Sequence, residues 1–126
     1  MAYSYDPAQC RPADELGLDD PWDYLRITYA QQAPGFLAEA LPGLDPGAVR
    51  YVRHHEAHAA SAGLAAPFRD ASVLVSDGRG EATSHLAGHY ADGVLKVLAS
   101  QALPHSLGLF YAVSYTHLTL PTKRIV

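Results

Sequence analysis

The 126-residue chain is long enough for one domain with a modest core, and its 48% hydrophobic and 17% charged residues are ordinary for a globular protein. A formal net charge of −4, with the nine Lys and Arg scattered, gives no basic footprint for nucleic acid. The single Cys10 can form no internal disulfide, which points to a reducing cytoplasm; no apolar run is long enough to span a membrane, and residues 1–11 lack signal-peptide character.

Residues 1–18 carry Pro7, Pro12 and several acidic side chains with little periodicity, and read as an extended lead-in. Asp20-Pro21-Trp22-Asp23 is a helix start, Asp20 serving as cap and Pro21 as first helical residue. That helix is expected to reach about Gln32, with Trp22, Leu25, Ile27 and Tyr29 on its buried side. Pro34 then opens a second short helix whose Phe36, Leu37 and Leu41 face inward, and Pro42-Gly43 stops it. Ala48 to Val52 reads as a brief strand leading into the next helix.

The stretch from Val52 to Glu81 carries the chemistry. His54 and His58 stand at i and i+4, so on a helix both imidazoles share one face with Cβ atoms roughly 6 Å apart, close enough to meet at one divalent ion. The alanine-rich run through Ala66 supports the helix, and Pro67 ends it. The string HEAH is not the zinc-protease helix: His55 has Ala59 four residues on, and the His54/His58 pair has His55 where the glutamate belongs. Ala71 to Ser76 is an apolar, β-branched run without clear alternation and reads as a buried strand, which places Asp77 at its carboxyl end. Gly78-Arg79-Gly80-Glu81 follows as a tight turn whose backbone N–H groups could cradle a phosphate. Each feature has an ordinary counterpart: paired histidines on a solvated helix face, a plain hairpin turn, and Arg79 as a solvated turn residue.

Three strands are expected next, Ser72 to Ser76, Ala82 to Tyr90 and Val94 to Gln101, with Asp92-Gly93 turning the last two into a hairpin. His85 and His89 share a strand face too far apart to chelate and read as surface residues. Ser106 can cap a final helix containing Leu107, Leu109 and Phe110.

Taken together, HHEAHAASA, SDGRGE and PHSLGLFY, with AYSYDP and APGFLAEALPGLD before them, resemble the amino-terminal domain of O-carbamoyltransferases of the nodulation-protein and antibiotic-biosynthesis type, over about Ala2 to Ala112. The resemblance implies an α/β fold, a partial actin/Hsp70-like (RNase H-like) domain with a mixed sheet. It implies that His54, His58 and Asp77 bind iron or a similar divalent metal, a further aspartate ligand of the family having no counterpart here. It also puts Gly78, Arg79, Gly80 and Glu81 near the nucleotide. His55 reads either as a support behind the ligands, donating to a carboxylate or carbonyl, or as an ordinary packed or exposed residue. His105, in the PHSLG string, would help to place the helix start.

The implied reaction uses carbamoyl phosphate and ATP. A carboxy-terminal domain absent from this chain would make carbamoyl adenylate, and the domain seen here would pass the carbamoyl group to the hydroxyl of a small-molecule acceptor such as a sugar, aminoglycoside or cephalosporin-like compound. The hydrogenase-maturation and tRNA-threonylcarbamoyl branches also space histidines by four, but AYSYDP and PHSLGLFY favour the O-carbamoyltransferases. Other readings are a non-catalytic metal- or nucleotide-binding fragment, and a truncated domain that does not fold stably because sheet edges and apolar faces stay uncovered. Residues 113–126 depart from the family pattern and include VSYTHLTLPT, which matches a translated sequencing adapter, so this tail is expected to be non-native. The strand hairpin and first phosphate loop that open the family domain are also missing, and the chain is expected to be an internal fragment, inactive by itself.

Overall fold

The computed structural model describes the backbone of residues 1–118 and the side chains of residues 1–112. Of the tail expected to be adapter-derived, residues 119–126 lie outside the described residues, and the backbone of 113–118 continues the last helix.

A short strand β1 (Ala2–Tyr3) pairs in parallel with β2 (Arg50–Tyr51). Bonds from the Arg50 N–H to the Met1 carbonyl and from the Val52 N–H to the Tyr3 carbonyl, at 2.8 and 2.9 Å, complete the ladder and bring Ser4 alongside the start of the next helix. Where two helices broken at Pro34 were expected, a single helix α1 (Asp23–Ala40) runs through it. Proline has no N–H for the carbonyl one turn back, here that of Ala30. The Tyr51 hydroxyl donates to that carbonyl at 2.9 Å, so the bond is replaced and the helix continues.

The expected inward face of α1 is also corrected. Trp22 is 65% exposed, Tyr29, Phe36 and Leu41 are at the surface, and Leu25, Ile27 and Leu37 are half-buried. The buried positions are Asp23, Ala30 and Ala33. Small side chains let α1 lie close to its neighbours, which leaves the bulky ones turned outward. Asp20 does not sit at the cap position either: its carboxylate accepts the Trp22 N–H at 3.0 Å, one turn ahead of a helix that begins at Asp23.

Helix α2 (His54–Ala65) packs on an antiparallel sheet of β3 (Asp70–Ser76), β4 (Thr83–Ala91) and β5 (Val94–Ala102), with β4 central. The close approach depends on Gly63, where a Cβ would stand 2.9 Å from the Tyr90 ring. Ala59, Val75 and Leu86 form the core, joined by Val73 and Leu95. The expected Asp92-Gly93 hairpin is present with φ of 48° and 81°, as a tight two-residue turn requires. β3 is not the strand buried on both faces that its composition implied: it is an edge strand and Leu74 on its far face is 75% exposed. His85 is half-buried rather than at the surface, its Nδ1–H donating to the Ser84 hydroxyl while Nε2 is enclosed without a partner. His89 pairs with Asp70 at 2.8 Å on the outside.

Helix α3 (Leu107–Leu118) follows, capped as expected by the Ser106 hydroxyl, which accepts the Leu109 N–H at 3.1 Å. The class is α/β, with a parallel pair and an antiparallel sheet standing separately instead of one mixed sheet. No helix among the described residues is long and apolar enough to cross a membrane.

Candidate metal centre

The site lies where the first turn of α2 meets the loop after β3. Arg53, at the N-cap of α2, makes no side-chain capping hydrogen bond to the helix backbone. The cap comes from across the fold: Glu81, 6% exposed, accepts the N–H of His54 at 2.9 Å and that of Asp6 at 2.8 Å through the same carboxylate oxygen. One buried carboxylate therefore ties the helix start, the amino-terminal lead-in and the turn after Asp77 together, and its charge suits a helix amino terminus.

Three donor atoms converge there. His54 Nε2 is 2.7 Å from Asp77 Oδ2 and 3.1 Å from His58 Nε2, and His58 Nε2 is 3.4 Å from Asp77 Oδ2. Metal–donor bonds near 2.1 Å give donor–donor edges of about 3.0 to 3.4 Å in octahedral and tetrahedral spheres; two of the three edges have this size, and the 2.7 Å edge between His54 and Asp77 has hydrogen-bond length. His54 Nδ1 lies 2.9 Å from the Ser4 carbonyl, which can only accept, so the ring's proton sits on Nδ1 and its Nε2 presents a lone pair. That lone pair faces a carboxylate oxygen and a second imidazole nitrogen. Only a shared proton or a cation reconciles such a cluster, and two imidazoles with one carboxylate suit iron or zinc. The donors are partly open: His58 is 52% exposed and, with Asp77, lines a cavity of about 270 Å³ floored by Ala62 and Val73 to Ser76. Three protein donors beside an open cavity leave room for further ligands, as in catalytic metal sites.

When a proton rather than a cation is shared across the His54–Asp77 gap, burial raises the Asp77 carboxyl, but the Gly78 N–H, the resulting His54 hydrogen bond and the positive charge on the imidazoles outweigh it and hold the carboxyl below its ordinary value. His55, the next residue after His54, is buried beside the donors. Its Nδ1 bonds the Thr83 hydroxyl at 2.9 Å, in place of the expected carboxylate or carbonyl, while Nε2 is 3.8 Å from Asp77 and has no partner. Burial, followed by the nearby His54, pushes its pKa down and keeps it neutral.

The turn after Asp77 is internally committed. The Gly78 N–H goes to Asp77 Oδ1 at 2.6 Å and the Gly80 N–H to the Thr83 carbonyl at 2.8 Å. Arg79 is no solvated turn residue: its side chain is 9% exposed and pairs with Asp20 at 3.0 Å and with Asp23, fastening the turn to the start of α1.

With this geometry in view, one comparison decides the family. The family described as carbamoyltransferase N-terminus matches residues 30–124. The chain belongs to it. No curated protein matches the chain. All three converging donors of this carbamoyltransferase domain, together with Glu81 and Arg79, fall inside the matched span, whereas Ser4, Asp6, Asp20 and Asp23 precede it. Those four were missed in the sequence as parts of the site. Ser4 and Asp6 contribute only backbone groups, which leave no residue-type signal; Asp20 and Asp23 had one, a pair of acids near a helix start, which Arg26 and Arg79 share.

Proposed function

We propose that this carbamoyltransferase chain carries the transfer site of an ATP-dependent O-carbamoyltransferase. In this reading, carbamoyl phosphate, water and ATP are converted to carbamoyl adenylate, with release of phosphate and pyrophosphate, by a further domain of the same protein, in an actin/Hsp70-like framework. An acceptor hydroxyl then attacks the carbamoyl carbon, the bond to the adenylate phosphate breaks, and AMP leaves as the acceptor proton is lost. The observation that carries the proposal is the convergence of His54, His58 and Asp77, three mutually facing lone-pair donors, within a carbamoyltransferase-family span.

His54, His58 and Asp77 would hold the divalent ion, which supplies Lewis-acid stabilisation of the nucleotide phosphate and carbamoyl oxygen. The chain's own residues prepare that centre. The Ser4 carbonyl fixes the His54 tautomer, Glu81 holds the His54 backbone, and the Gly78 N–H holds Asp77 ionised and oriented. Gly78, Arg79, Gly80 and Glu81 serve as the frame of the nucleotide site rather than as free phosphate donors, because the Gly78 and Gly80 N–H groups and the charges of Arg79 and Glu81 are engaged inside the fold.

The test is a Co(II) titration of the chain together with carbamoyl transfer by the complete gene product. Wild type is expected to take up one equivalent of Co(II), and His54→Ala, His58→Ala and Asp77→Ala to lose both metal and transfer, while His89→Ala, paired with Asp70 at the far end of β3, keeps both. Full transfer activity in the His58→Ala protein sinks the assignment. Metal uptake without any transfer would leave a binding module instead.

A further inference from the structure

The segment leading into α3 grips the loop that carries Asp77. The Ser106 hydroxyl, besides capping α3, lies 2.6 Å from the Gly78 carbonyl and 3.2 Å from the Asp77 carbonyl, so its single proton goes to this loop. Gly108, in the first turn of α3, meets the same two residues: a Cβ there would stand 2.6 Å from Gly78 N and Cα and 2.8 Å from the Asp77 carbonyl carbon. These are backbone atoms and cannot swing aside, so any side chain at residue 108 must displace the helix or the loop. The Asp77 carboxylate is set by the same peptide, since Oδ1 takes the Gly78 N–H while Oδ2 faces the histidines. His54, by contrast, is anchored on α2 by Ser4 and Glu81.

We infer that Ser106 and Gly108 are positioning residues of the metal centre: by fixing the Asp77–Gly78 peptide they aim the carboxylate at a cation whose other two donors are held independently. The inference rests on the metal reading above. It assigns the PHSLG string a role in building the site, although none of its residues is among the converging donors.

The experiment is Co(II) titration of the full chain, followed by absorption, with circular dichroism and thermal melting on the same samples. Partners that orient a metal ligand typically change affinity 10- to 100-fold, so Ser106→Ala and Gly108→Ala should each weaken Co(II) binding about 10-fold or more and shift its absorption bands, because one of three donors has moved. Ser106→Thr retains a hydroxyl and should restore affinity and spectrum. If Gly108→Ala fails to fold, the Ser106 pair decides. Binding within about twofold of wild type in the folded Ser106→Ala protein overturns the inference while leaving the metal reading intact. So does a loss that Ser106→Thr does not repair, since only packing would then be at stake. If wild type takes up no Co(II), or His58→Ala binds it equally well, the metal reading falls and this inference falls with it.

Discussion

Replacing Glu81 separates two accounts of the turn after β3. If the carboxylate is the cap of α2, its loss must be felt in stability. It is buried and accepts two N–H groups, from Asp6 and His54, at 2.8 and 2.9 Å. Leaving a buried donor without a partner costs about 1–3 kcal/mol, and withdrawing a negative charge from a helix amino terminus about 0.5 kcal/mol more. Glu81→Ala should therefore lower stability by about 3 kcal/mol. Glu81→Gln keeps an acceptor oxygen and loses mainly the charge, which amounts to about 1 kcal/mol. At about 4 °C per kcal/mol for a domain of this size, the melting temperature should fall by about 12 °C and about 4 °C respectively. Thermal melts at neutral pH with metal chelated remove any contribution from a bound ion. If both variants melt within about 2 °C of wild type, Glu81 is not the cap. A loss confined to nucleotide affinity would then return it to the role of a direct nucleotide contact.

The same bookkeeping gives three further expectations. Tyr51→Phe removes the donor that serves the Ala30 carbonyl opposite Pro34, and should destabilise the chain by about 1 kcal/mol in urea titrations; in a Pro34→Ala background the helix supplies that N–H itself and the penalty should vanish. Arg79→Met leaves the buried Asp23 with Arg26 alone, so a loss of about 2–3 kcal/mol is expected, and adding Asp23→Asn should recover part of it. His55 is neutral in the fold because burial lowers its pKa, whereas unfolded it protonates at the ordinary value near 6.5. The unfolded chain thus binds the extra proton between the lowered value and 6.5, so stability should fall as pH drops below about 6.5 and level off beneath the folded pKa. His55→Gln should flatten that part of the stability–pH curve, and an unchanged slope would refute the assignment.

The donors were legible because each lay in a local pattern that physics reads directly. A four-residue spacing puts His54 and His58 on one helical face wherever the helix lies, and a strand ending at Ser76 puts Asp77 at its carboxyl end. The Asp92-Gly93 hairpin and the Ser106 cap were local in the same sense. What escaped were contacts made through the backbone or across long separations. The sequence around Pro34 argued for a break, and only a tyrosine from another element, supplying the missing donor, lets α1 pass through it. The inward face of α1 was misjudged because bulk was taken for burial, while the contact is made by Ala30 and Ala33. Glu81 was read as a nucleotide contact, and nothing in SDGRGE says that its carboxylate reaches back to the N–H groups of Asp6 and His54.

The meeting of the two halves follows from lengths. A helix of 12 residues rises about 18 Å and a strand of 7 residues about 23 Å. The short connection at Pro67 gives no room to do anything but reverse, so α2 and β3 lie back to back with nearly matched lengths, held by Ala59 against Val75. In that arrangement the first turn of α2 must arrive beside the residue just past the end of β3. His54 and Asp77 therefore meet because the elements between them cancel in length, not because of any affinity between the two side chains. The fold delivers the donors to within a few ångströms, and the remaining adjustment falls to groups outside α2 and β3: the Ser4 carbonyl for the imidazole, Glu81 for the helix start, and Ser106 with Gly108 for the carboxylate loop. Coarse placement by topology and fine placement by neighbouring groups are separable, and substitutions of Glu81 or Ser106 should alter metal affinity without abolishing the fold.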